Sequence, residues 1–165
     1  MAAATVNSAT AGYETKRICL TAKRHRAGAK LTGEHLIHVA AGAIPATSVN
    51  DANDIWVILD LRDIPEVYLS GRGQITLPEL DTGTNALVWD LVVINADDSV
   101  DKVLINDSTV GRAAGTDEFD VDAGLVGYNV GGKRIAMKIV TAANVAAAGA
   151  VALDLFVFFD RVSIG

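Results

Sequence analysis

Cysteine is almost missing from this sequence: Cys19 is the only one in 165 residues. A single thiol cannot close an internal disulfide, and it excludes a cysteine framework or a thiolate metal cluster. Glutamine is as scarce, with Gln74 alone, and Glu numbers 5 against 15 Asp. Glu, Gln and Lys populate exposed helix faces, so these residues argue against a helical domain. Aromatics make up only 5% of the chain. No apolar run reaches the roughly 18 residues of a membrane span. The opening MAAATVNSAT has neither the charged start nor the apolar stretch of a secretory signal. The expectation is a soluble protein made in a reducing compartment, with no membrane partner.

What is abundant is β-branched. Val and Ile number 31 against 14 Leu, and Thr adds 12. Such side chains are stiff at χ1 and pack well on a pleated surface. The 15 Gly, 8 Asn and many Asp suit turns. Half of the residues are hydrophobic, enough for a core in one domain of this size. The composition predicts an all-β domain.

The order of residues predicts where the strands fall. Residues 1–12 are small, polar and aperiodic, and read as an N-terminal arm. Tyr13–Ala22 reads as a strand with Ile18, Leu20 and Ala22 on one side, and 23–33 as a basic loop. Leu36–Ala41 is a short strand, and 46–54 a turn-rich connection. Ile55–Leu61 (IWVILDL) is nearly continuous in apolar residues, as expected of a strand buried on both faces. Glu66–Ser70 and Gln74–Leu77 read as two strands around Gly71-Arg72-Gly73, with Pro78 at a strand end. Ala86–Asn95 and Lys102–Asn106 read as a hairpin. Residues 107–124 are a long connection with a short strand near Phe119–Val121, and Leu125–Val130 is a further short strand. Lys133–Thr141 alternates, and 142–150 is Ala-rich and fits either a helical turn or a loop. In Ala152–Val162, Leu153, Leu155, Val157 and Phe159 line one face, with Phe156 and Phe158 on the other. Nine or ten short strands at this spacing predict a β-sandwich of jelly-roll type, with residues 13–165 as one domain behind the arm.

Charge is divided unevenly. Residues 1–30 carry Lys16, Arg17, Lys23, Arg24, Arg26 and Lys30 against Glu14, a net +5, while the remainder carries −11. Three readings stand side by side: a solvated basic loop, an arm that docks on the acidic surface of a neighbouring copy or partner, and a nucleic-acid contact. Opposite charges would steer the second. An overall pI near 4.9 and the lack of aromatics among the basic residues oppose the third. Lys16, Arg17, Lys23, Arg24 and Arg26 are therefore the candidate assembly contacts.

Catalytic and cofactor signatures fail one by one. Gly127–Lys133 fits G-x-x-x-x-G-K, but Arg134 stands where a magnesium-binding Ser or Thr belongs, and the next segment alternates like a strand. A glycine turn is the plainer reading. His35 and His38 would point to opposite faces of a strand; His25 has no evident partner ligands. Glu118, Asp120 and Asp122 would share one strand face, and Asp97, Asp98 and Asp101 crowd one turn. Either set offers oxygen ligands for calcium, yet neither follows the helical calcium-loop pattern, and solvated turns are the common outcome. No serine has a nucleophile-elbow context, and Cys19 sits in an apolar segment where burial precedes reactivity. Trp56 and Trp89 lie within apolar strands and are expected in the core. No catalytic, cofactor or metal residue is assigned.

The arm MAAATVNSATAGYETKR, the Ala/Gly/Asp-rich strand-and-turn texture and the closing strand VALDLFVFFDRV together resemble virion structural proteins of tailed bacteriophages, of the capsid decoration (cement) type. The resemblance implies a β-rich, non-enzymatic module bound as homo-oligomers to a capsid lattice, with the arm reaching a neighbour. Its partners would be the major capsid protein or other virion proteins, and its place the virion after synthesis in the host cytoplasm. Phe on both faces of the last strand agrees, since one sandwich has one core and a second apolar face calls for another surface. The alternative is a carbohydrate- or ligand-binding β-sandwich.

Overall fold

The computed structural model describes the backbone of residues 6–8 and residues 33–161 in full. The described strands are β1 (Val6–Ser8), β2 (His35–Ile44), β3 (Ile55–Asp60), β4 (Tyr68–Leu77), β5 (Val88–Ile94), β6 (Val100–Ser108), β7 (Gly115–Glu118), β8 (Arg134–Thr141) and β9 (Gly149–Phe158). They form two sheets, in the orders β1-β3-β8-β5-β6 and β2-β9-β4-β7. Every pairing is antiparallel except that of β1, which runs parallel to β3. At one flank of the sandwich β2 lies beside β3, and at the other β6 lies beside β7.

Alternation decides what each sheet buries. In β9, Leu153, Leu155 and Val157 are fully enclosed, and Phe159 just beyond the strand joins them, whereas Ala152, Asp154, Phe156 and Phe158 are partly exposed. β3 is buried at all six positions, as its unbroken apolar run predicts. Trp56 and Ile58 face the main core with Trp89, Leu91, Val93, Ile135 and Met137. Ile55, Val57, Val92, Ile94 and Ala136 form a second, smaller buried cluster. Each such aliphatic side chain contributes roughly 1.5–3 kcal/mol on burial. Trp89 also donates its indole N–H to the Val110 carbonyl at 2.6 Å, which satisfies its polar atom inside the core.

One buried carboxylate organises the loops at one end. Asp81 is fully enclosed and accepts from the backbone N–H groups of Gly83, Ala86, Leu87 and Val145 at 2.7–3.2 Å. Burial pushes this carboxyl up, but the N–H groups of Val145, Leu87 and Ala86 hold it well below the usual carboxylate range.

Several expectations are revised. The two strands expected around Gly71-Arg72-Gly73 are one strand, β4, whose pairing with β9 breaks between Leu69 and Gly73. Gly71 adopts φ +97° there, a value that side chains rarely take. The short strand expected near Phe119–Val121 lies earlier, as β7, and Val121–Ala123 is a single 3-10 turn. Leu125–Val130 is not a strand. Gly124 and Gly127 have positive φ, and only Asn129 makes an isolated bridge, to Tyr68. The Ala-rich 142–150 stretch is a loop that bridges Asp81 through Ala146, followed by the start of β9. Tyr13–Ala22, Cys19, His25 and the candidate contacts Lys16, Arg17, Lys23, Arg24 and Arg26 lie outside the described residues.

Candidate interaction surface

The β6/β7 flank is closed by backbone bonds at the end of β7. The Phe119 N–H donates to the Gly73 carbonyl at 3.0 Å, and the Asp120 N–H to the Leu104 carbonyl at 2.9 Å. The Asp120 carboxylate in turn accepts the Asn106 N–H at 2.8 Å. The Phe119 ring occupies the space that a side chain at residue 73 would need, so glycine there is a packing requirement. These ties spend the strand's pairing capacity, and the chain turns outward through Val121–Ala123 until Gly124 reverses it at φ +63°.

Val121 is left 94% exposed on this turn. Val126, after the turn, is 71% exposed and touches Gly71. Val121 forms the ridge between two clefts. One, of about 710 Å³, is also lined by Lys102, Val103, Asn106, Asp120 and Asp122. The other, of about 320 Å³, is floored by Gly71 and Gly73 and walled by Arg72, Glu118, Phe119 and Phe156. Phe156 pairs across the sheet with Leu36, itself 54% exposed. Exposed apolar side chains grouped in this way mark an interaction surface, whereas single ones do not.

The cations here are held by groups of the same chain. The Arg72 guanidinium stacks 4.2 Å over the Phe156 ring and pairs with Glu34. The Arg72 and Ser70 hydrogen bonds hold the Glu34 carboxyl below its usual range. Lys133 donates to Asp101 at 2.5 Å and to the Tyr128 hydroxyl at 3.1 Å. Tyr128 also bonds Asp101, and both Lys102 and Lys133 lie over its ring. Residues 97–122, which build this flank and its loops, hold eight acidic residues and two basic ones. The flank is therefore apolar at its ridge and negative around it.

The residues singled out by sequence take separate places. His35 and His38 do point to opposite sides: His35 stacks against Phe159 with ring centroids 5.5 Å apart, and His38 Nδ1 meets Asp154 at 2.5 Å. Glu118, Asp120 and Asp122 do not share a strand face, because the strand ends at Glu118. In the 97–101 turn, Asp97 accepts from Ser99, Asp98 pairs with Arg134, and Asp101 takes Lys133 and Tyr128. Among the described residues no three His, Cys, Asp or Glu side chains gather as metal ligands. Gly131-Gly132 forms a turn into β8, not a phosphate loop before a helix. Among the described residues no helix is long and apolar enough to cross a membrane. The sequence reads Val121 as the end of a short strand, since Phe119-Asp120-Val121 alternates, and carries no local sign that a turn leaves it exposed.

No protein-family model and no curated protein matches this sequence. The fold is similar to solved chains. A chain of the capsid of Ralstonia phage GP4 superposes with a TM-score of 0.59 at 19% identity, over 81% of this chain and 88% of that one. A chain of the cyanophage Pam1 capsid asymmetric unit superposes with a TM-score of 0.58 at 17% identity, over 81% of this chain and 90% of that one. At such identities the likeness is one of fold.

Proposed function

We propose that this protein is a non-enzymatic structural component of a phage particle: a capsid decoration (cement) protein that oligomerises on the capsid lattice and stabilises it. The observation that carries this reading is the fold shared, over most of both chains, with chains of two phage capsid structures. The exposed apolar ridge at Val121 and Val126 supports a role in contacts between molecules. The partners are further copies of this chain and the major capsid protein, and the site of action is the virion.

The jelly-roll reading is supported by strand order. Leaving β1 aside, the sheets are ordered 2-9-4-7 and 3-8-5-6, so each strand from β2 to β9 crosses to the other sheet except at the β5–β6 hairpin. Residues 1–12 act as an arm that is tied to the sandwich through β1 (Val6–Ser8), and Lys16, Arg17, Lys23, Arg24 and Arg26 meet acidic surface on neighbours. The alternative of a carbohydrate-binding sandwich loses its natural stacking platforms, since Trp56 and Trp89 are 2% and 0% exposed.

Quantitative mass spectrometry of purified particles tests the proposal. The expected result is a fixed copy number relative to the major capsid protein, with lower heat resistance in particles lacking this protein. Absence from purified particles overturns it.

A further inference from the structure

The acidic, apolar-ridged flank and the strands that bound the basic section of the chain lie at opposite edges of the sandwich. Ser8 ends β1, which pairs with β3, and His35 begins β2, beside β3. The basic section between them is thus joined at both ends to the β3/β2 flank. Val121 and the larger cleft lie on the other flank, where β6 meets β7, and the smaller cleft runs from Val121 across β4 to Phe156 of β9. The two carry opposite charge, +5 over residues 1–30 and −6 over 97–122, where Asp98 and Asp101 are already paired with Arg134 and Lys133 and the others are not in ion pairs with those cations. The basic section also mixes its cations with apolar residues: Lys16, Arg17, Lys23 and Arg24 bracket Ile18 and Leu20.

We propose that the Val121–Val126 surface receives residues 16–26 of a second copy, so that the β3/β2 flank of one molecule feeds the β6/β7 flank of the next. Ile18 and Leu20 cover the Val121 ridge and the Phe156 wall, removing apolar surface from water. The cations face Glu118, Asp120 and Asp122, which orients the approach and disfavours like-charged pairings. The contact joins two different patches and is heterologous. Repeated with a rotation that closes, it yields a ring. This inference rests on the oligomeric role proposed above, and it names the surface.

The test uses the full chain. Sedimentation velocity is run on the natural sequence, on Glu118→Lys/Asp122→Lys, on Lys23→Glu/Arg24→Glu, and on the combination of all four. The expected result is a closed oligomer for the natural chain, an association at least about tenfold weaker for either reversal alone, and recovery in the combination. Circular dichroism confirms that each variant is folded. Carbodiimide cross-linking of mixed heavy- and light-isotope copies is expected to join Lys23 to Asp122 or Glu118 between copies. A monomeric natural chain, an oligomer indifferent to both reversals, or cross-links confined within one copy overturns the inference. Incorporation into capsids is measured separately: a chain that binds capsids yet fails these tests retains the decoration role and loses this interface.

Discussion

Asp81 and Val145 lie 64 positions apart in sequence, yet the Val145 N–H donates to the Asp81 carboxylate at 3.1 Å. The other oxygen of the same carboxylate takes the N–H groups of Ala86 and Leu87 at 2.7 and 3.0 Å. One side chain thereby fastens the loop before β5 to the loop before β9.

Asp81→Asn is expected to cost about 3 kcal/mol, because an amide NH₂ must face backbone donors where a charged acceptor stood. The folded carboxyl is held below its unfolded value. Its stabilisation is therefore complete above the unfolded pKa of about 4 and fades as pH falls toward the lower folded value. Thermal unfolding of the two proteins is expected to differ by a constant amount from pH 8 to 5 and to converge in stronger acid. A gap that persists unchanged into strong acid contradicts this account.

Gly131→Ala tests backbone contact. A Cβ there would strike the Pro65 carbonyl and stand 2.7 Å from the Glu66 nitrogen, and backbone atoms cannot swing aside as a flexible side chain can. A loss of about 2 kcal/mol or more is expected in denaturant unfolding. Gly132→Ala meets no atom within 4 Å and is strained only by its φ of +74°, so the smaller loss is expected there.

Trp89→Phe removes the indole donor to Val110 and leaves that carbonyl without this partner. It also opens a space beside a side chain that is fully buried. Together these are expected to cost about 2 kcal/mol, read as a lower denaturation midpoint at an unchanged slope.

Lys133→Ala gives the contrast. Lys133 and Asp101 retain 27% and 30% exposure, and a pair open to water is worth less than about 1 kcal/mol. Its small effect is expected to shrink further in added salt.

Val121→Ser is expected to leave the unfolding temperature within about 1 °C of the natural chain, since a surface change of this kind shifts stability by less than about 0.5 kcal/mol. Self-association measured on the same sample is expected to weaken. A large thermal loss would mean that Val121 supports the fold itself.

How much of this was legible from the sequence depended on how local the cause was. The buried faces of β3 and β9 read correctly because they are written in their own spacing, an unbroken apolar run in one and strict alternation in the other, although β9 begins at Gly149 and ends at Phe158, both earlier than the expected Ala152–Val162. The Trp56 and Trp89 placement followed from the same spacing. β7 was missed because GTDE carries no apolar alternation; it is a strand because β4 offers it an edge, from Gln74 to Leu77. The single bulged β4 was missed because Phe119, far along the chain, settles onto Gly73. Asp81 looked like any loop aspartate in ELDTGTN until two loops folded around it.

The all-β class followed from the residues themselves, because β-branched side chains, period-two patterning and Asp/Asn/Gly turns act within a few neighbouring positions. Which strands share a sheet, which carboxylate is enclosed by backbone donors, and which valine stays in water were decided only by the tertiary structure. Those outcomes depend on what surface remains after distant segments have paired. Val121 and Val157 are the same residue, yet one is 94% exposed and the other fully buried, because one sits past the last pairing edge and the other between two sheets.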